Sequence, residues 1–311
     1  MRRHAPRREA RMNQTTLAYE QLIERFVAWA RTRPDIHVAI VVGSRARADR
    51  PADEWSDLDI VIFVTDPEPY LTSTDWLNNM GDFRITFVEP TMGGEMERRV
   101  LFNGGLDVDF AIIPYTKMEL MIEHGIPPGV AGIFRRGMRV LLDREGLAAR
   151  LNAAGIEQPA FPDSPPQAGF LEAVNDFWYH AVLTAKKVRR GELWYAKACT
   201  DGYMKRLLLK MIEWHSQIIN GGHCDTWHDG RFMERWADPR VLEDLRGSFA
   251  HYDQDDIRRA LLATMDLFRW LAKEIAERLA YRYPTHTDEY AVKLVSTLLP
   301  AEVQTDTGDD T

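Results

Sequence analysis

Two aspartates spaced one residue apart, Asp57 and Asp59, open an apolar run that continues to Val64. An earlier apolar run, Val38 to Val42, stops at Gly43-Ser44, and a polar excursion joins the two. Runs rich in Val and Ile, bounded by turn residues, read as buried strands, and side chains two apart in a strand share a face. The two carboxylates therefore point the same way. Held that close they repel each other unless a cation sits between them, and a hard divalent ion such as Mg2+ suits an oxygen-only site. Gly43 lets the backbone approach a phosphate, Ser44 adds a hydroxyl and an amide N–H, and Arg45 could add charge. The pattern predicts a metal–nucleotide site. Chemistry of that kind uses two cations a few ångströms apart, so a third carboxylate is expected from a neighbouring strand. Leu106 to Pro114, LDVDFAIIP, offers Asp107 and Asp109 on one face. Spacing does not choose between them.

The elements that position these residues follow from periodicity. Tyr19, Leu22, Ile23, Phe26, Val27 and Ala30 fall at helical spacing and predict an amphipathic helix from Thr16 to Ala30. The two runs around Gly43-Ser44 follow as strands. A short helix is expected around Tyr70 to Asn79, and a third strand over Arg84 to Val88, closing on Glu89-Pro90. Arg98 to Phe102 and Leu106 to Ile113 flank Asn103-Gly104-Gly105, a hairpin turn. The outcome is a mixed sheet of about five strands with helices against it, plus a helical fragment in MELMIEHGI and a short return strand in RVLLDREG. The proline-rich stretch QPAFPDSPPQAG then reads as a domain boundary. Beyond it the pattern is helical almost throughout, over Phe170 to Arg190, Leu193 to Ile219, Arg231 to Trp236, Val241 to Ala250, Asp255 to Tyr281 and Asp288 to Leu298, which argues for a bundle. The expected organisation is a disordered extension at 1–15, a mixed α+β domain at 16–160, a helical domain at 161–299 and an acidic tail at 300–311.

Bulk properties narrow the function. Across 311 residues, 45% hydrophobic content is enough for real cores. A net charge of −8 argues against a broad nucleic-acid footprint, which needs a basic face. No apolar run reaches the roughly 18 residues of a membrane helix, and the basic start MRRHAPRREARM lacks the apolar core of a signal peptide. With only two cysteines and no CxxC, neither a disulfide framework nor a zinc knuckle is indicated, and a cytoplasmic location is expected. His215, His223, Cys224 and His228 match no standard zinc spacing, and HCDTWHDG reads as a polar loop.

The wording of these segments resembles a known family. Gly43-Ser44 followed by Asp57-Leu58-Asp59 looks like the signature of the nucleotidyltransferase superfamily that includes DNA polymerase beta. The fuller string, GSRA, WSDLDIVIFVTD, WLNNMGD, FVEP and VDFAIIP, continuing into NDFWYHAVLTAKKVRRGELWYAK and LLLKMIEWHS, resembles the aminoglycoside 6-adenylyltransferases, also called streptomycin adenylyltransferases. The resemblance spans roughly Leu17 to Tyr283. It implies a polymerase beta-like sheet domain followed by a helical bundle, with the active site between them. It implies Mg2+-dependent transfer of AMP from ATP to an aminoglycoside hydroxyl, releasing pyrophosphate. Asp109 is then the third acid, from the apolar-Ile-Pro ending that follows it, and Asp107 a solvated turn residue. Gly43, Ser44 and Arg45 would meet the triphosphate. The second domain would close over the nucleotide and supply a cation, with Lys197 of the YAK match first and Lys187 next. Glu89 would face a substrate amine. The rival readings are transfer to another hydroxylated acceptor, such as a lincosamide, a metabolite or a protein side chain, and nucleotide binding without catalysis.

Overall fold

The computed structural model describes residues 5–47, 51–91, 93–144, 146, 149–150, 164–222, 224–226 and 229–300. The chain divides into two compact units, Met1–Pro159 and Ala160–Thr311.

The first unit is built on a six-stranded sheet. Its strands are β1 (Ile36–Val42), β2 (Leu58–Val64), β3 (Phe83–Pro90), β4 (Met96–Phe102), β5 (Leu106–Pro114) and β6 (Arg139–Asp143), in the order β3-β4-β5-β2-β1-β6. Only β2 and β5 run parallel; the other neighbours are antiparallel. The sixth strand is the short return segment, which completes the sheet beyond the expected five by pairing with β1.

Helix α1 (Ala5–Arg31) covers one face. Its Tyr19, Leu22, Ile23, Phe26 and Ala30 are buried against alternate residues of the strands, among them Leu58, Ile60, Ile62, Val108 and Phe110. The opposite face carries a smaller apolar layer of Val38, Ile40, Val42, Val61 and Phe63 under α3 (Tyr115–His124) and α4 (Pro128–Arg135). Burial on both faces explains why β1 and β2 read as continuous apolar runs rather than alternating ones.

Several boundaries differ from expectation. Helix α1 starts at Ala5, inside the stretch expected as a disordered extension, because Pro6 falls in the first turn, where its missing N–H costs nothing, and no breaker follows. The segment around Tyr70 divides into α2 (Glu68–Thr72) and a 3-10 turn (Asp75–Asn79), since Trp76 Nε1 donates to the carbonyls of Tyr70 and Ser73 (3.2 and 3.1 Å). Helix α4 is an addition to the expected elements.

The second unit is helical: α5 (Gln167–Arg189), α6 (Leu193–Ala198), α7 (Met204–Ile219), α8 (Met233–Trp236), α9 (Pro239–Arg246), α10 (Gln254–Arg278) and α11 (Thr285–Leu298). Its core interleaves Phe170, Phe177 and Trp178 of α5 with Leu208 and Ile212 of α7 and Phe268 and Leu271 of α10, and the Phe177 and Phe268 rings stack at 3.6 Å. The expected single helix over Leu193 to Ile219 is interrupted by a π-turn at Cys199–Tyr203. Asp288 is buried beside Arg269, whose Nε lies 2.9 and 3.0 Å from its two oxygens, and Tyr283 donates to it at 3.0 Å. Of the proline-rich boundary stretch, residues 158–163 lie outside the described residues, and Gln167 already opens α5. His223, His228 and residues 301–311 of the tail also lie outside them. His215 is buried on α7 against Trp270, inside the segment expected to be helical. Among the described residues no helix is long and apolar enough to cross a membrane.

Candidate active site

The register of the sheet assembles the acids. Asp57 directly precedes β2 and Asp59 is its second residue, while parallel pairing sets Asp59 opposite Asp109 of β5. One oxygen from each of Asp57, Asp59 and Asp109 lies within 4.8 Å of the others, and among the described residues this is the one such group of potential metal ligands. Asp107 stands outside it. It pairs with Leu101 of β4, and its backbone N–H donates to Tyr19 Oη (3.1 Å).

The Gly-Ser turn sits directly on this cluster. Gly43 adopts φ +69°, a left-handed conformation that favours glycine, and a Cβ there would overlap the Asp59 carboxylate. Ser44 is buried, and its Oγ has no hydrogen-bond partner among the described residues. Arg45 spends its donors on the loop that returns to β2: Nε donates to the Asp57 carbonyl (2.8 Å) and Nη2 to the Ser56 carbonyl (2.6 Å). Its guanidinium also lies 3.5 Å from the centroid of the Tyr19 ring. Tyr19 thereby ties α1, the turn and the start of β5 together.

Two residues that the motifs did not single out, Glu97 and Arg99, lie on the same face of β4. Arg99 is paired with Asp109 across the sheet and donates to it through Nε (2.8 Å), while its Nη1 reaches Glu89 Oε1 (3.1 Å). Glu97 is paired with Glu89 of β3. The available signal was the alternation in MERRVLF, where Glu97, Arg99 and Leu101 share one face and the buried Arg98, Val100 and Phe102 the other.

The electrostatics follow from this crowding. Burial, then the neighbouring charges of Asp57 and Asp109, pushes the Asp59 carboxyl up to about 8. Burial also raises Asp109, to about 6, although the hydrogen bond and charge of Arg99 oppose the rise. Glu97 is raised by burial first and, against the pull of Arg99, by Glu89 and Asp57. Carboxylates that cannot all ionise unaided, presenting only hard oxygen donors, suit divalent Mg2+.

Over residues 17–298 the sequence matches the family model described as Streptomycin adenylyltransferase. The chain belongs to the streptomycin adenylyltransferase family. Membership makes it an enzyme, an adenylyltransferase. Two curated relatives are aminoglycoside 6-adenylyltransferases. The protein from Bacillus subtilis (strain 168) is 24% identical over 277 residues, covering 86% of this chain and 94% of the relative. The one from Campylobacter jejuni is 24% identical over 274 residues, covering 84% and 89%. Among solved structures, a crystal structure of an aminoglycoside 6-adenyltransferase from Bacillus subtilis is 22% identical and covers 91% of this chain and 99% of that one, with a TM-score of 0.44.

In this adenylyltransferase the two lysines expected at the nucleotide belong to the helical unit. Lys187 pairs with Glu192 (2.5 Å). Lys197 pairs with Asp201 (2.5 Å) and donates to the Ala250 carbonyl (2.6 Å), which fixes the segment before α10 to the π-turn. Glu89 lies at the outer edge of the sheet, joined to the acid cluster through Arg99.

Proposed function

We propose that this adenylyltransferase transfers AMP from ATP to a hydroxyl of a streptomycin-like aminoglycoside. The acceptor oxygen forms a bond to the α-phosphorus, the bond to the bridging oxygen breaks, and pyrophosphate leaves. One observation carries the reading: Asp57, Asp59 and Asp109 converge within 4.8 Å directly beside the Gly43-Ser44 turn. When bound, two Mg2+ ions held by these three carboxylates would lower the pKa of the attacking hydroxyl and neutralise the triphosphate. The turn offers backbone N–H groups and the unpartnered Ser44 Oγ to the phosphates. Arg45 acts on the nucleotide by fixing that turn to the loop before β2. Lys197, with Lys187 as second candidate, supplies positive charge from the helical unit, and Glu89 receives a cationic amine of the acceptor. The hydroxyl proton passes to a carboxylate of the cluster, for which Asp109 is the candidate. Dependence on ATP fits a cytoplasmic enzyme.

The test is pyrophosphate release from Mg-ATP with a panel of acceptors. Release with streptomycin supports the proposal. Release only with a lincosamide or another hydroxylated metabolite moves the acceptor to that class, and none with any acceptor overturns the catalytic reading.

A further inference from the structure

Arg99 is a cation set among the acids of the site. Its guanidinium lies between Asp109 (2.8 Å) and Glu89 (3.1 Å), and its side chain is 33% exposed. Asp57, Asp59, Asp109, Glu89 and Glu97 share this neighbourhood, and Arg99 is the positive charge that acts on Asp59, Glu97 and Asp109 alike. Having one carboxylate on each side, it can give up Asp109 while keeping Glu89.

We infer that Arg99 is a tethered cation that occupies Asp109 until a divalent ion takes its place, with Glu89 holding the guanidinium once it is displaced. This rests on the metal reading of the three aspartates. Arg99 is thus a positioning residue: it holds Asp109 on the site's face before the ion arrives, and it competes with the ion for the same carboxylate. The sign of the effect separates this role from that of a plain structural ion pair. A structural pair predicts that losing Arg99 disorders Asp109 and weakens metal binding. A competing cation predicts that losing it leaves a more negative site that binds a divalent ion more tightly.

The experiment titrates the full-length protein with Mn2+ alone, without nucleotide, following free Mn2+ by electron paramagnetic resonance. Mildly alkaline buffer keeps proton competition low. Arg99→Gln is expected to bind about tenfold more tightly than the parent, because one fewer positive charge opposes the ion in a partly solvated site. Arg99→Lys retains a tethered charge and should stay near the parent value. Glu89→Gln removes the place to which the guanidinium retreats, so it should weaken binding about threefold in the parent and leave binding unchanged in the Arg99→Gln background, a coupling read from the double-mutant cycle. Thermal melts in excess Mn2+ confirm that each variant is folded. Mn2+ affinity that is unchanged or lower in Arg99→Gln overturns the inference and leaves the metal site standing. Failure of the parent to bind Mn2+ at all overturns the metal reading and the inference with it.

Discussion

Asp59 is the residue on which the site's charges press hardest. Its neutral form is favoured up to about pH 8 by burial and by Asp57 and Asp109, so the metal-free protein holds a carboxyl far above its ordinary value of 3.8. A folded-state pKa raised in this way contributes stability that is complete below the unfolded value and is lost as pH climbs through the folded one. The metal-free enzyme should therefore lose thermal stability between about pH 4 and about pH 8, and the rise in Tm on adding Mg2+ should grow over the same window. Melts at stepped pH, with and without Mg2+, check this. Asp59→Asn should flatten both curves, and a Mg2+ effect independent of pH would contradict the assignment. For activity, Asp57→Asn and Asp59→Asn should each lower the transfer rate about a thousandfold or more, the loss of several kcal/mol of transition-state stabilisation. Asp109→Asn should match them, whereas Asp107→Asn, whose backbone bonds to Tyr19, should keep most of the rate; initial rates of pyrophosphate release rank the four. These acids were legible because strand alternation and a Gly-Ser turn leave a short-range pattern. Glu97 and Arg99 were not, since their meaning depends on which strand lies beside β4, and a pairing partner is a non-local fact.

Helix α1 is the element on which the acids rest. Phe26 is fully buried, its ring 5.9 Å from that of Phe110, the residue after Asp109. Phe26→Ala should cost about 3–5 kcal/mol of unfolding free energy, the usual range for opening an aromatic-sized cavity in a core. A denaturant titration measures it, and a loss below about 1 kcal/mol would mean that α1 does not hold the sheet as described. The interior elements were readable from sequence because burial imposes a period: two in β4, continuous in β1 and β2, three to four in α1. What failed was local hydrogen-bond competition. The indole of Trp76 claims two carbonyls and divides one helix into two pieces, and at Cys199–Tyr203 the backbone takes a π-turn that the lone Gly202 does not announce. Helix α4 opens on Pro128 and contains Gly129 and Gly132, glycines that argue against a helix until its buried Ala131 and Phe134 are seen to pack on the sheet.

At the scale of the whole molecule, the net charge of −8 would help to gather a polycationic acceptor of the kind proposed. Attraction between exposed charges is screened as the Debye length falls from about 10 Å at 0.1 M salt to about 3 Å at 1 M. The KM for the aminoglycoside should therefore climb across that range more steeply than the KM for Mg-ATP, which coordination helps to hold. Steady-state kinetics with each substrate varied in turn decides it, and a flat acceptor KM would point to an uncharged acceptor. The parallel pairing of β2 with β5 also carries a kinetic meaning. The whole of 65–105 lies between those strands, so that length of chain must be closed into a loop before Asp109 can meet Asp59. Such non-local closure comes late in folding. The crowding of the acids is then absent while the sheet nucleates and appears only as β5 docks beside β2. Asp59→Asn, which spares the folded state the cost of holding a buried acid beside Asp57 and Asp109, should accordingly slow the unfolding of the finished protein and leave the rate of its formation nearly untouched.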